Sequence, residues 1–381
     1  MVKLTSTLDI ENRYLEANSD IKYHELFKNK QQILGRKVLH FGSLAGWPHT
    51  IARVSREMGI DAENVVHVYK DVLDLDRKLP YDAAIFTDSD WYASKVLKTA
   101  RFLLDCPKKY SIVHYHSTNL LHREIHFLLE GPYLRKNKLP MVLSLGGGDA
   151  RLDGDAKSRN KYYYKEPSFL HDLRVKLRWL SWSKNIAVCA TDPEMALIAS
   201  NYFEEVNIFR QPVELRLFPF FPPSETQEDP LVLHVPTNPQ VKGTEHIVRA
   251  VENLHKKGLK FRFQMVRQLT QTQFFNTLSH CDIYVDELRC GGHGMTAVES
   301  MAMGKPTISY IRDDLVDKYP SDLPIVNANP DTIEEVLERL ILDSKMRNLI
   351  GVASRQYVEK YHDAKIIMED LSRVYLKLLN S

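Results

Sequence analysis

The sequence predicts an α/β protein built as two doubly wound lobes that face each other across a cleft. Three observations lead there. Short apolar runs alternate with helical patterns along most of the chain, which signals mostly parallel sheets with helices on both faces. A stretch rich in proline and polar residues, "RQPVELRLFPFFPPSETQEDP" at 210–230, interrupts the alternation and marks a domain crossover. The length of 381 residues, 44% of them apolar, exceeds one ordinary domain. The expected organisation is an N-terminal extension at 1–35, a first lobe at 36–214 completed by a C-terminal helix at 360–381, and a second lobe at 215–359.

Residues 1–35 are polar, lack a strand pattern and read as a helical extension. The first lobe opens with the strand "KVLHFG" (37–42), the loop "SLAGWPHT" and the helix "IARVSREMG". Further strands are "VVHVY" (65–69), "AAIF" (83–86), "SIVHYHS" (111–117), "PMVLSLGGGD" (140–149), "IAVCAT" (186–191) and "VNIF" (206–209). Helical patterns such as "WYASKVLKTARFLL" and "NLLHREIHFLLEGPYL" separate them. After the crossover come "LVLHV", "GTEHIVRAVENLHKKG", "FRFQMV", "QTQFFNTLSH", "DIYV", a glycine-led helix, "TISYI" and "DTIEEVLERLILD". In the first of those helices Ile247, Val248, Val251 and Leu254 share one face. Asp331 with Glu334 reads as an N-cap pair. The closing segment from Ser354 reads as one amphipathic helical stretch.

Composition narrows the function. A net charge of +2 argues against a strong polyanion binder. No apolar run is long enough to cross a membrane, and the opening residues do not resemble a signal peptide. Cys106, Cys189, Cys281 and Cys290 have neither metal-ligand nor disulfide-framework spacing, so they read as reduced, small hydrophobic side chains of a cytoplasmic protein. "TDSD" (87–90) has the look of a metal-binding Asp-x-Asp, but no other carboxylate cluster supports it. "GGHG" is not a dinucleotide fingerprint, because its third glycine is missing.

The chemistry concentrates at predicted strand ends, where open parallel sheets bind ligands. In "CGGHGMTAVES", Gly292, His293 and Gly294 lead into a helix. Free amides of Gly294, Met295 and Thr296, with the positive end of the helix dipole, suit a phosphate. Glu299 lies about one turn on and can accept hydrogen bonds from a vicinal diol such as ribose. Lys242, between a strand and a helix, can offset diphosphate charge. In the first lobe, His114 and His116 share one side of their strand, leaving one to be buried and the other to face the cleft. Asp149 in "GGGDAR" can hold a hydroxyl, and Gly46 in "SLAGWPHT" permits close ligand approach. Residues 151–184 carry nine Lys/Arg against four Asp/Glu, with five Tyr and Trp; such a stretch can dock an anionic membrane or an acceptor, or simply pack an aromatic core face.

The order of "KGTEHIVRAVENL", "CDIYVDE" and "GGHGMTAVESMAMGKPTISY" resembles the donor domain of retaining GT-B glycosyltransferases, especially their large family four. "RQPVELRLFPF" resembles that group's interdomain segment, and "SIVHYHS" its acceptor-domain strand with an active-site histidine. The closing tyrosine-containing helix resembles the one that crosses back to the first lobe. The resemblance covers roughly residues 36–381. It implies a GT-B fold of two Rossmann-like domains and transfer of a sugar from a nucleotide diphosphate sugar. It implies retention at the anomeric carbon, no cofactor and no obligatory metal. A glycan, a lipid-linked sugar or a glycosylated protein is the implied acceptor; the near-neutral charge argues against nucleic acid. Glu299 then matches the second glutamate of a Glu-x7-Glu motif, which holds the ribose. Gly294 to Thr296 match the backbone at the distal phosphate, Lys242 the diphosphate lysine, His116 the reaction-centre histidine and Gly46 the glycine loop.

Two positions depart from that pattern. Gly291 stands where the motif has its first glutamate, and the diphosphate arginine is absent, with His234, Thr237 and Asn238 offered in its place and Thr237 and Asn238 as candidate substrate contacts. Asp286, Glu287 or His293 would then contact the sugar, and Glu287 has the longer reach of the two acids. A sugar-nucleotide epimerase of the same fold and an inactive glycosyltransferase-like binding subunit are the alternative readings.

Overall fold

The computed structural model describes residues 35–69, 78–118, 120–121, 127–148, 150–182, 186–226 and 228–380. The expected extension at 1–35, except its last residue, and Asp149 lie outside them.

The first sheet comprises β1 (Val38–Phe41), β2 (Ala62–His67), β3 (Ala83–Phe86), β4 (Ile112–His116), β5 (Met141–Leu145), β6 (Ile186–Ala190) and β7 (Val206–Ile208). Their order is β3-β2-β1-β4-β5-β6-β7, and each pair is parallel. The helices are α1 (Trp47–Glu57), α2 (Tyr92–Lys109), α3 (Phe127–Lys136), α4 (Asp153–Arg159), α5 (Phe169–Trp182) and α6 (Pro193–Ala199). β1, β4 and β5 are buried along their whole length. That burial on both faces is why they read as unbroken apolar runs and not as alternating ones.

Two cores flank this sheet. One gathers Leu103 and Cys106 from α2, Leu134 from α3, and Val175, Trp179 and Trp182 from α5. The opposite one gathers Trp47 and Ile51 from α1 with Met368, Leu371 and Tyr375 near the C-terminus.

The second sheet has the order β12-β11-β10-β8-β9. Its strands are β8 (Leu231–His234), β9 (Arg262–Met265), β10 (Ile283–Glu287), β11 (Thr307–Ser309) and β12 (Val326–Asn327). Its helices are α7 (Pro239–Lys242), α8 (Thr244–Lys256), α9 (Gln271–Ser279), α10 (Met295–Ala302), α11 (Asp313–Val316), α12 (Ile333–Leu342) and α13 (Ser344–Tyr361); α14 (Ala364–Asn380) returns to the first lobe.

Two details differ from the sequence reading. The closing stretch is two helices, because the chain turns at His362 and Asp363. There Val213 N donates to His362 O (2.8 Å) and Ala364 N to Val213 O (2.9 Å), so the two interdomain crossings are hydrogen-bonded side by side. Asp331 does not cap α12. Its carboxylate instead receives Lys161 Nζ (2.9 Å) and the Tyr162 hydroxyl, both from the first lobe. Sequence periodicity cannot report a partner so distant along the chain.

Candidate functional site

Strand order reverses between β1 and β4 in the first sheet and between β8 and β10 in the second. Crevices outside the C-terminal ends of such strands are the natural ligand positions. Most of the residues singled out from the sequence lie at these two points.

At the second-lobe point, β10 ends in Asp286 and Glu287, both buried. Asp286 Oδ1 accepts Lys242 Nζ (2.6 Å) and Thr296 Oγ1 (2.7 Å), and Asp286 Oδ2 accepts the Gly294 amide (3.4 Å). An internal carboxylate thus already sits at the start of α10, where the sequence suggested an external anion. Burial alone would raise the Asp286 carboxyl, but Lys242, Thr296 and Gly294 hold it below its usual range. Burial alone would lower the Lys242 ammonium, yet the charges of Asp286 and Glu287 keep it above. An ammonium has three donors, and Asp286 takes one of those of Lys242.

Glu287 differs from its neighbour. Burial pushes its carboxyl up to about 8 against the pull of Lys242, and its Oε1 is buried without a partner. Glu299, on α10, is also buried and lifted to about 8 by burial and by the charge of Asp286. Among the described residues no donor hydrogen-bonds its carboxyl. It lines an interlobe cavity of about 160 Å³ together with Met295, Gln271, Gly46, Trp47 and Arg53. Gly46 enters with φ +81°, a backbone region that L side chains disfavour, and an added Cβ would stand 3.7 Å from Gln271 Nε2 of the other lobe. Arg53, on the cavity wall, is paired with Glu214.

The remaining second-lobe candidates have surroundings of their own. Asn238 caps α7, its Oδ1 accepting from Gln240 N (3.1 Å) and Val241 N (3.3 Å), so its side-chain oxygen has a structural task. Thr237 is half-buried in the same loop. His234 is buried, bonded to Val285 O (2.8 Å) and Thr244 Oγ1 (2.9 Å). His293 is buried against Tyr319 and His362, with ring centroids 5.2 and 5.9 Å away. Burial lowers it to about 4, so its ring is neutral.

His116 does not face the cleft. Both it and His114 are buried, their rings stacked at 4.1 Å. His116 Nε2 is hydrogen-bonded to His40 Nδ1 (3.1 Å), and His114 to Tyr375 Oη (2.8 Å) and Ser144 Oγ (2.7 Å). The Trp47 ring lies 5.4 Å from His116 and itself lines the cavity. Burial holds His114 and His116 well below the usual imidazole range and His40 near 3. The Asp-x-Asp is a turn: Asp90 accepts Thr87 N (2.9 Å) and Lys98 Nζ (2.6 Å).

Around Gly291 the site also contains residues the sequence did not flag. Gly291 has φ +88°, and an added Cβ would meet Arg312 Cδ at 3.1 Å. Arg312 bonds Glu194 Oε1 of the first lobe (2.8 Å) and Asp314 (2.7 Å), while Arg151 holds the other Glu194 oxygen. The aliphatic stem of an arginine whose guanidinium is tied between the lobes thus fills the space beside Gly291. Asn160 adds a second tie, donating to Arg289 O (2.7 Å). The first part of the basic, aromatic 151–184 stretch therefore joins the lobes. No local pattern marks such contacts.

No protein-family model matches the chain. Among curated proteins, an uncharacterized glycosyltransferase of Methanocaldococcus jannaschii is 25% identical over 140 residues, which is 36% of this chain and 39% of that protein. The match thus spans about two fifths of its relative. Among solved structures, sucrose-phosphate synthase of Thermosynechococcus elongatus aligns with a TM-score of 0.62 at 14% identity, covering 91% of this chain and 99% of that one. HepE of Anabaena, solved with UDP-glucose, aligns at 0.61 and 12% identity over 90% and 100%. The fold is the two-sheet, parallel α/β arrangement of GT-B glycosyltransferases.

Proposed function

We propose that the chain is a glycosyltransferase that takes a nucleoside diphosphate sugar at the second-lobe switch point. The observation that carries this reading is Glu299, a buried carboxyl without a donor, on the wall of the interlobe cavity. A ribose diol supplies the two hydroxyls such a group lacks. Lys242, steadied by Asp286, directs its remaining N–H bonds to the diphosphate, with the Met295 and Thr296 amides beside it. This is fixed electrostatic help for the departing diphosphate, with no metal required by the reading. Glu287, protonated near neutrality, faces the sugar ring as a donor. Sugar passes with retention to a glycan, glycolipid or glycoprotein held by the first lobe. Cavities that hold small molecules span roughly 300–1,000 Å³. At about 160 Å³, this one must widen for a donor, and the paired crossings at Val213 and Asp363 are the hinge for that motion.

Titration calorimetry with UDP, GDP and ADP tests the site. Glu299→Ala should weaken the best of them by roughly ten- to a hundredfold, the worth of two hydrogen bonds from a diol at roughly 1 kcal/mol each. Equal affinity in wild type and variant removes the site. Glu287→Gln should leave the bare diphosphate unaffected and weaken only the intact nucleotide sugar.

Gly291 favours a second reading, a nucleotide-sugar-binding subunit without turnover, because Arg312 occupies the space of the motif's first glutamate. Release of nucleotide diphosphate from an intact donor separates the two: steady release supports the enzyme, whereas tight binding with none supports the subunit.

A further inference from the structure

We propose that the outer layer of the first lobe, formed by α2, α3 and α5, is a docking face for an anionic lipid bilayer. α5 carries two apolar faces. Val175, Trp179 and Trp182 point into the core. Phe169, Leu170, Leu173, Leu177 and Leu180 are exposed, from 41% at Leu173 to 78% at Phe169. At 3.6 residues per turn these five fall within an arc of roughly 100°, opposite the buried one. One apolar stripe suffices to hold a surface helix to its domain; the second is exposed.

The neighbouring helices extend the patch. α2, α3 and α5 cover the same core, and the Tyr133 hydroxyl of α3 donates to Leu104 O of α2 (3.2 Å). Leu97 and Leu104, seven positions apart on α2, are 68% and 56% exposed, and Leu129 on α3 is 65% exposed. Exposed apolar side chains gathered on neighbouring helices in this way mark an interaction site.

The charge selects the partner. The three helices contain ten Lys/Arg, five in α2, two in α3 and three in α5, against three acids; four of the ten are offset by carboxylates, Lys95 by Asp88, Lys98 by Asp90, Lys109 by Glu63 and Lys108 by Asp105. Of the helices' own three acids, Glu130 is buried with its carboxylate on Leu120 N and Leu121 N. Asp172 turns away to accept from Asp153 N and Gly154 N. Asp105 alone is exposed. Arg174 and Lys176 flank the α5 stripe, and both are exposed. Leucines and a phenylalanine rimmed by cations fit the boundary between acyl chains and anionic headgroups. The +2 net charge of the whole chain hides this local excess. The proposal is independent of the donor-site reading.

The full chain is sedimented with vesicles of phosphatidylcholine alone and of equal parts phosphatidylcholine and phosphatidylglycerol. Binding should be at least about tenfold stronger to the mixed vesicles and should fall as salt rises. L173Q/L177Q/L180Q should lower it by about tenfold or more. R174Q/K176Q should lower it by about fivefold per side chain, the equivalent of about 1 kcal/mol each. Because these residues are exposed, circular dichroism and the melting temperature should match wild type. Absence of sedimentation with mixed vesicles, or wild-type partitioning by the leucine variant, overturns the proposal. So does a dimer in solution that the leucine variant dissociates, which assigns the face to a second copy of the chain.

Discussion

At the switch point of the second sheet, a carboxylate, an ammonium, a hydroxyl and an amide meet around Asp286, with the Lys242 side chain 12% exposed. At the equivalent point of the first sheet, three neutral imidazoles stack behind Trp47, their neighbours Ser144 and Tyr375. Both places bury polar side chains where the strand order reverses. One keeps its charges by pairing them, and the other discharges them by desolvation. The difference assigns charge-handling to the second lobe and shape to the first. It also explains why Glu299 and Glu287, buried without cationic partners of their own, resemble the imidazoles more than Asp286.

The largest effect that tests this contrast is Asp286→Ala. It leaves the Lys242 ammonium without its partner, and breaking a buried pair from one side typically costs about 3–5 kcal/mol. Urea unfolding at neutral pH should show a loss of that order. A loss below about 1 kcal/mol would mean that the pair is far more solvated than its burial suggests.

Next is pH. The Glu287 and Glu299 carboxyls sit near 8 when folded and near 4.3 in an unfolded chain. Between those values the native state binds more protons than the unfolded one, so stability falls as pH rises. Their contribution is full below about pH 4.3 and gone above about 8. Glu299→Gln removes one group from the balance. Its stability should therefore decline less steeply than wild type between pH 6 and 8, and parallel curves would return Glu299 to an ordinary carboxyl.

The first lobe gives a smaller effect. His116→Ala strands His40 Nδ1 and opens space behind Trp47, a cost of about 1–3 kcal/mol, while nucleoside diphosphate affinity stays at the wild-type value. Wild-type stability with turnover lost would reverse the contrast and place His116 at the reaction centre.

What the sequence made legible divides along the same line. Strands β1, β4, β5, β8 and β10 were readable because parallel strands buried on both faces are short apolar runs. The glycine-led α10, with Lys242 and Glu299, was readable because its residues are close in sequence and their chemistry is local. Asp286 was visible only as a possible substitute for a missing glutamate, since its real role needs Lys242, 44 residues away. Glu194 and Arg312 are separated by 118 residues and carry no local signature. His116 was misplaced for a related reason. Alternation gives the side of a strand, but not what covers that side, and here Trp47 covers it.

The smallest expected effect concerns Asn238, which the sequence offered as a ligand contact and the structure uses as a cap. Its Oδ1 serves two amides of α7, and Lys242 is the last residue of that helix. Replacing an N-cap Asn by Ala costs about 1 kcal/mol. On a helix of one turn, part of that loss should appear as freedom of the Lys242 backbone and not as unfolding of the lobe. Asn238→Ala should therefore lower the urea midpoint slightly, by the equivalent of about 1 kcal/mol, and weaken nucleoside diphosphate binding by less than Lys242→Ala does. Asn238→Asp, which keeps the acceptor, should restore the stability. If Asn238→Asp also weakens the diphosphate while stability recovers, the added negative charge is felt by the ligand, and Asn238 lies close to the phosphates after all. If both variants bind as wild type does, the position of Lys242 is set by Asp286 alone, and the second lobe's network is held from the strand side and not from the loop.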